Sequence, residues 1–143
     1  MKFFILIIIS TFIYLSNALL CGSQCNRSKT PNGFLSGNIQ TIDKSFDISG
    51  TIVIKNDCEF EVQKFSVSPS TGNVNWYCAN SPNSFESILV AKDVQINNVG
   101  TSLIYDVYDI DPFCKVSLLT DCSVFRLIDE NYKVLASATL EGK

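Results

Sequence analysis

Residues 46–67, FDISGTIVIKNDCEFEVQKFSV, constrain the chain more than any other stretch. Thr51, Ile52, Val53 and Ile54 form a β-branched run, Lys55-Asn56-Asp57 is turn-rich, and Phe60, Val62, Phe65 and Val67 are the apolar members of a second run. That pattern predicts a strand hairpin. Two strands with so much apolar surface are not stable alone and need a second layer to bury it. The expected architecture is therefore an all-β, antiparallel β-sandwich or small barrel.

The rest of the chain fits that expectation. Residues 38–42 alternate as a half-buried strand, and residues 69–73 (PSTGN) form a strong turn before Val74, Trp76 and Cys78 alternate with polar neighbours. Residues 88–91 are a short apolar strand that Val94 and Ile96 extend. Residues 103–110, 116–119, 123–128 and 132–140 complete the set. Nowhere does an apolar period of 3.6 persist for three turns, and about eight short strands spaced by turn residues are the all-β pattern. Ile52, Ile54, Phe60, Val62, Phe65 and Trp76 are the expected shared core. For Trp76, a role as a sugar-stacking platform is the sharper alternative to core packing.

The first eighteen residues read as a secretory signal peptide. Lys2 supplies a positive charge, residues 3–15 (FFILIIISTFIYL) are largely apolar, and Ser16 and Ala18 are small, which fits cleavage after Ala18. The apolar core is shorter than the ~20 residues a spanning helix needs, which argues against an uncleaved anchor and against a membrane span after cleavage. Leu19 and Leu20 precede Cys21 where a bacterial lipoprotein would want small residues. The expected mature chain, residues 19–143, is one secreted β domain, with an N-terminal loop over 19–36 and a strand core over 37–140. Cleavage removes one of eleven basic residues and none of fourteen acidic ones, so the net charge moves from -3 to -4. With no cluster of Lys or Arg, nucleic acid is not an expected partner.

All six cysteines, Cys21, Cys25, Cys58, Cys78, Cys114 and Cys122, follow the cleavage site. An even count in an oxidising compartment reads as up to three disulfides, with fifteen connectivities open. A zinc site is the competing reading, but no C-x-x-C pair occurs and the chain has no histidine. Cys21 and Cys25 are too close in sequence for their mutual bond to constrain much. At least one is expected to reach the strand framework. Asn26-Arg27-Ser28 is a glycosylation acceptor triplet on the expected N-terminal loop.

The absence of histidine excludes triads with an imidazole base and histidine-ligated zinc or haem. No Gly-rich phosphate loop or nucleophile elbow is present. Asp106, Asp109 and Asp111, with Asp129 and Glu130, offer oxygen ligands for calcium but lack the EF-hand spacing, and aspartates at turns are usually solvated. A carboxylate pair for glycoside hydrolysis lacks an aromatic cleft. No metal, cofactor or catalytic residue is expected.

Several of these residues resemble the DM13 domain family of extracellular proteins. Gly37 stands for that family's glycine-led strand, Asp47-Ile48-Ser49-Gly50-Thr51-Ile52-Val53-Ile54 for its V-S-G-T-V segment, and Lys64-Phe65 for its later phenylalanine. Trp76-Tyr77 is similar to its aromatic pair and Cys122 to its C-terminal cysteine. The family's histidine ahead of V-S-G is replaced around residues 44–46, and Asp121 replaces the aromatic before the late cysteine. The resemblance covers about 100 residues. It implies a β-rich extracellular module, of a kind often found beside DOMON and cytochrome domains, with an adhesion or redox-associated role. The expectation is a non-enzymatic binding or adhesion module contacting an extracellular protein or glycan through its loops. The alternative is a redox module acting through a cysteine, with Cys122 as the candidate.

Overall fold

The computed structural model describes residues 24–96, 100, 102–110 and 116–142. Its elements are β1 (Leu35–Asn38), β2 (Gln40–Thr41), β3 (Asp47–Asn56), β4 (Glu59–Ser68), β5 (Val74–Ala79), β6 (Ile88–Ala91), β7 (Leu103–Asp106), a 3-10 turn (Val107–Asp109), α1 (Leu118–Asp121), β8 (Val124–Asp129), β9 (Val134–Thr139) and β10 (Glu141–Gly142). They form two antiparallel five-stranded sheets. Sheet one has the order β10-β1-β3-β4-β7 and sheet two the order β2-β9-β8-β5-β6. The all-β, disulfide-bonded sandwich is as expected, with ten strands rather than about eight.

The hairpin over residues 46–67 is β3 and β4, and it forms the middle of sheet one. Alternation sends Ile52, Ile54, Phe60, Val62, Phe65 and Val67 into the space between the sheets, where Val74, Trp76, Phe125, Leu127 and Leu135 of sheet two meet them. Phe60 lies 4.9 Å from Phe125, and Phe65 lies 5.8 Å from Trp76, between ring centroids. Trp76 is thus a core residue and offers no face to a sugar. Its indole Nε1 is buried with no hydrogen-bond partner, as is the Tyr105 hydroxyl. Burial pushes the Tyr105 pKa up to about 12.

The S-G-T segment of β3 has a packing role. The ladder shifts register between Ser49 and Thr51, where Lys64 on the partner strand has φ 51°. Gly50 sits there at φ 140°, and a Cβ on it would lie 2.9 Å from the Gln63 carbonyl oxygen. Its own carbonyl accepts from Ile39 N–H at 2.9 Å. Only glycine fits this close approach.

Five expected strands take other forms. The single strand over 38–42 divides at Ile39, with β1 in sheet one and β2 in sheet two. The strand over 132–140 likewise gives way at Leu140, passing from β9 in sheet two to β10 in sheet one. The strand over 103–110 stops at Asp106, whose carboxylate accepts from Tyr108 N–H at 2.9 Å and caps the 3-10 turn. Residues 116–119 lead into α1 instead, because Ser117 is an N-cap: its hydroxyl accepts from Thr120 N–H, and Asp121 reaches back to Ser117 N–H. Val94 and Ile96 do not extend β6. Asp93, at φ 49°, turns the chain away, and its N–H donates to Asn75 Oδ1.

Candidate interaction surface

Polar side chains gather in two places, and their partners differ. The first lies at the tip of the β3–β4 hairpin. Asp57 and Cys58 form the two-residue turn, yet both are buried, Asp57 being only 2% exposed. The N-terminal segment and α1 cover them. Ser117 Oγ–H donates to Asp57 Oδ1 at 2.6 Å, Leu119 N–H to the same oxygen at 3.1 Å, and Asn26 N–H to Oδ2 at 2.7 Å. The Asp57 main chain continues the pattern, its N–H donating to Lys29 O and its carbonyl accepting from Leu118 N–H, both at 2.9 Å. A buried carboxylate with this many donors is compensated for its lost hydration.

Cys25 bonds to Cys58 across the same place, so an N-terminal cysteine does reach the framework. Beside it, Arg27 pairs with Glu59 at 3.0 Å and with Asp106, and its guanidinium lies 4.5 Å from the centre of the Tyr108 ring. The Asp106 hydrogen bond holds the Arg27 pKa above its ordinary value. The N-terminal loop is therefore fastened rather than free. Asn26 is exposed within it, with Oδ1 accepting from Ser28 N–H at 2.9 Å, so the acceptor triplet lies on the surface.

Cys122 requires a correction. It is bonded to Cys78, and both sulfurs belong to buried residues, so it is not the free thiol that a redox role through this residue needs. The four described cysteines are all bonded, and Cys21 and Cys114 lie outside the described residues. Among the acidic residues, Asp106 is a cap and an Arg27 partner, while Asp129 accepts from Asn131 and Lys133 N–H in the β8–β9 turn. Asp111 lies outside the described residues. No group of three or more metal-ligating side chains occurs among the described residues.

The second gathering lies on the outer face of sheet two. Because Trp76 and Cys78 point inward, Tyr77 points outward, and the register aligns Leu89, Tyr77, Arg126, Ser137 and Gln40 in one row across all five strands. At one end of the row is the β5–β6 loop. Arg126 Nη1 donates to Ser87 Oγ at 2.8 Å and Nη2 to Pro82 O at 3.0 Å, gripping both arms of the loop. Within it, Ser84 N–H donates to Ser81 O. Phe85 in this loop is 102% exposed, and Ile88, three residues on at the start of β6, is exposed as well.

At the other end of the row the chain crosses twice between the sheets, through Ile39 and through Leu140. Between the crossings lies a groove of 340 Å³ lined by Ser36, Gly37, Asn38, Gln40, Ser137, Thr139 and Glu141. Asn38 Oδ1 accepts from Thr51 Oγ1–H at 3.0 Å. The side chains of Ser36, Gln40, Ser137, Thr139 and Glu141 have no hydrogen-bond or ion-pair partner among the described residues. Neither the braced loop nor this groove was visible as a site in the sequence. Alternation around Trp76-Tyr77 could have flagged Tyr77, but the crossings depend on the sheet order.

No family model, no curated protein and no solved structure matches the chain.

Proposed function

We propose that the chain is a secreted, non-enzymatic binding or adhesion module of DM13-like kind, acting on an extracellular protein or glycan through loops at the edge of sheet two. The observation that carries this reading is Phe85, a fully exposed aromatic ring in a loop clamped by Arg126. Ring surface left in water costs free energy that a partner's pocket recovers. A braced loop loses little conformational entropy on binding, which is why such anchors dominate interfaces.

Export by a signal peptide over residues 1–18 accords with two disulfides, which persist in oxidising compartments. No helix among the described residues is long and apolar enough to cross a membrane. Glycosylation at Asn26 belongs to the same reading, since the triplet is surface-exposed. Enzymatic chemistry is disfavoured by the missing histidine, the usual proton carrier near neutral pH. The redox alternative has lost its candidate thiol, because a buried disulfide is shielded from attack by another thiolate.

The test is a matched capture from native extracellular fluid with wild type, Phe85→Ser and Arg126→Ala as baits. A partner retained by wild type, reduced at least tenfold by Phe85→Ser and partly reduced by Arg126→Ala is expected. Equal recovery by all three contradicts the reading.

A further inference from the structure

The groove between the two crossings has a composition that selects its occupant. Its side chains supply two amides, three hydroxyls and one carboxylate. No Lys or Arg lines it, so it offers no cation to phosphate or sulfate groups. It has no apolar side chain to hold a lipid tail, and a single carboxylate is too few ligands for a divalent ion. What remains is a surface that both donates and accepts hydrogen bonds at close intervals and carries no net positive charge. Vicinal hydroxyl groups match that surface, each being donor and acceptor at once.

Two further observations bear on this groove. Five of its six side chains make no hydrogen bond or ion pair to another side chain or to the main chain among the described residues, so they face the groove with their bonding capacity open. Its floor is also preformed. Gly37 packs so closely that a Cβ there would lie 2.4 Å from the Thr139 carbonyl oxygen, and β1 is held on one side by β3 and on the other by β10. Its volume lies at the lower end of the range of about 300–1,000 Å³ typical of small-molecule sites. We infer that this groove binds a neutral oligosaccharide segment, with Gln40, Ser137 and Glu141 making the principal hydrogen bonds. This rests on the binding-module reading and assigns it a ligand class at a place distinct from Phe85.

The test uses the full exported chain and isothermal titration with neutral oligosaccharides built on mannose, galactose or N-acetylglucosamine, alongside sulfated oligosaccharides of equal length. At least one neutral oligosaccharide is expected to saturate the protein. The double variant Gln40→Ala/Ser137→Ala should weaken it at least tenfold and Glu141→Gln should weaken it severalfold, while Phe85→Ser leaves it unchanged. These side chains carry no internal bonds, so the variants should fold, as their unfolding transitions will show. Saturation by no neutral oligosaccharide, binding of sulfated ones alone, or binding indifferent to the groove variants overturns the inference. If that occurs while Phe85→Ser still abolishes partner capture, the groove assignment fails and the loop reading stands; loss of the Phe85 effect alone fails the loop and leaves the groove.

Discussion

Around Asp57 the carboxylate, the N-terminal main chain and the cap of α1 are bonded to one another, whereas beside Gly37 five polar side chains are bonded to nothing among the described residues. Both places are rich in hydroxyls, amides and carboxylates. The difference is where the groups spend their hydrogen bonds. At the hairpin tip three separate stretches of chain must be brought together over a buried turn, and a carboxylate with several acceptor sites does so at a single point. In the groove the backbone crossings already hold the shape, and the side chains are not recruited to it. The lesson is that polarity alone does not tell groups that serve the fold from groups that the fold leaves open.

The core beneath both regions sets the scale of stability. Truncating Phe65, which is buried against Trp76, should cost about 3–5 kcal/mol in urea unfolding. A loss below about 1 kcal/mol would place the hairpin outside the core.

Removing the Cys25–Cys58 bond by replacing both residues with alanine should cost about 2–4 kcal/mol, since it closes a span of 33 residues. The loss should concentrate at the fastened end, with hydrogen exchange accelerating at Asn26, Leu118 and Leu119 and little changed at Ser137 and Gln40. Non-reducing peptide maps should recover Cys25 with Cys58 and Cys78 with Cys122.

Gly37→Ala attacks the groove's floor rather than its side chains. The added Cβ meets backbone, not a flexible side chain, so the strand must move at a cost of about 1–3 kcal/mol. Little or no loss would mean that the crossing is soft and the groove not preformed.

Smallest is the effect at Lys133 and Asp43, a bonded pair whose lysine is exposed and whose carboxylate is mostly covered, with Nζ–Oδ2 at 2.6 Å. The Lys133 hydrogen bond, aided by Ser45, holds the Asp43 pKa below the usual aspartate value, and Asp43 holds that of Lys133 above the usual lysine value. The signs follow by linkage. The Asp43 contribution is present above the ordinary aspartate range and is lost as pH falls through the depressed folded value. The Lys133 contribution is present below the ordinary lysine range and is lost as pH rises through the raised folded value. Side-chain NMR titration should show the Asp43 midpoint moving upward in Lys133→Met, with thermal stability near neutral pH almost unchanged, as for most exposed pairs. An unmoved midpoint would show that the pair is not formed.

The sandwich was legible in the sequence because β-branched runs and period-2 alternation report directly on strands, and all six residues expected in the core, from Ile52 to Trp76, are buried there. The expectation failed where a short-range group overrode that pattern. Ser117 and Asp106 are caps, and their hydroxyl and carboxylate turned apolar alternating stretches into helical turns. Residues 38–42 and 132–140 did form extended chain, but nothing local tells a strand that it will change sheets at Ile39 or Leu140. The groove is a consequence of those two changes and was hidden with them. Asp57 was read as part of a polar turn, and its burial depends on two segments 31 and 60 residues away in sequence.

The most direct test of the contrast is urea unfolding of two variants measured together with wild type. Asp57→Ala strips a buried acceptor from three donors and should cost on the order of 3 kcal/mol, hydrogen bonds to a charged group being worth about 1.5–3 kcal/mol each before relaxation. The triple variant Gln40→Ala/Ser137→Ala/Glu141→Gln should stay within about 0.5 kcal/mol of wild type, as surface changes without lost partners do. A triple variant destabilised as much as Asp57→Ala would contradict the account, because the groove's polar groups would then be serving the fold.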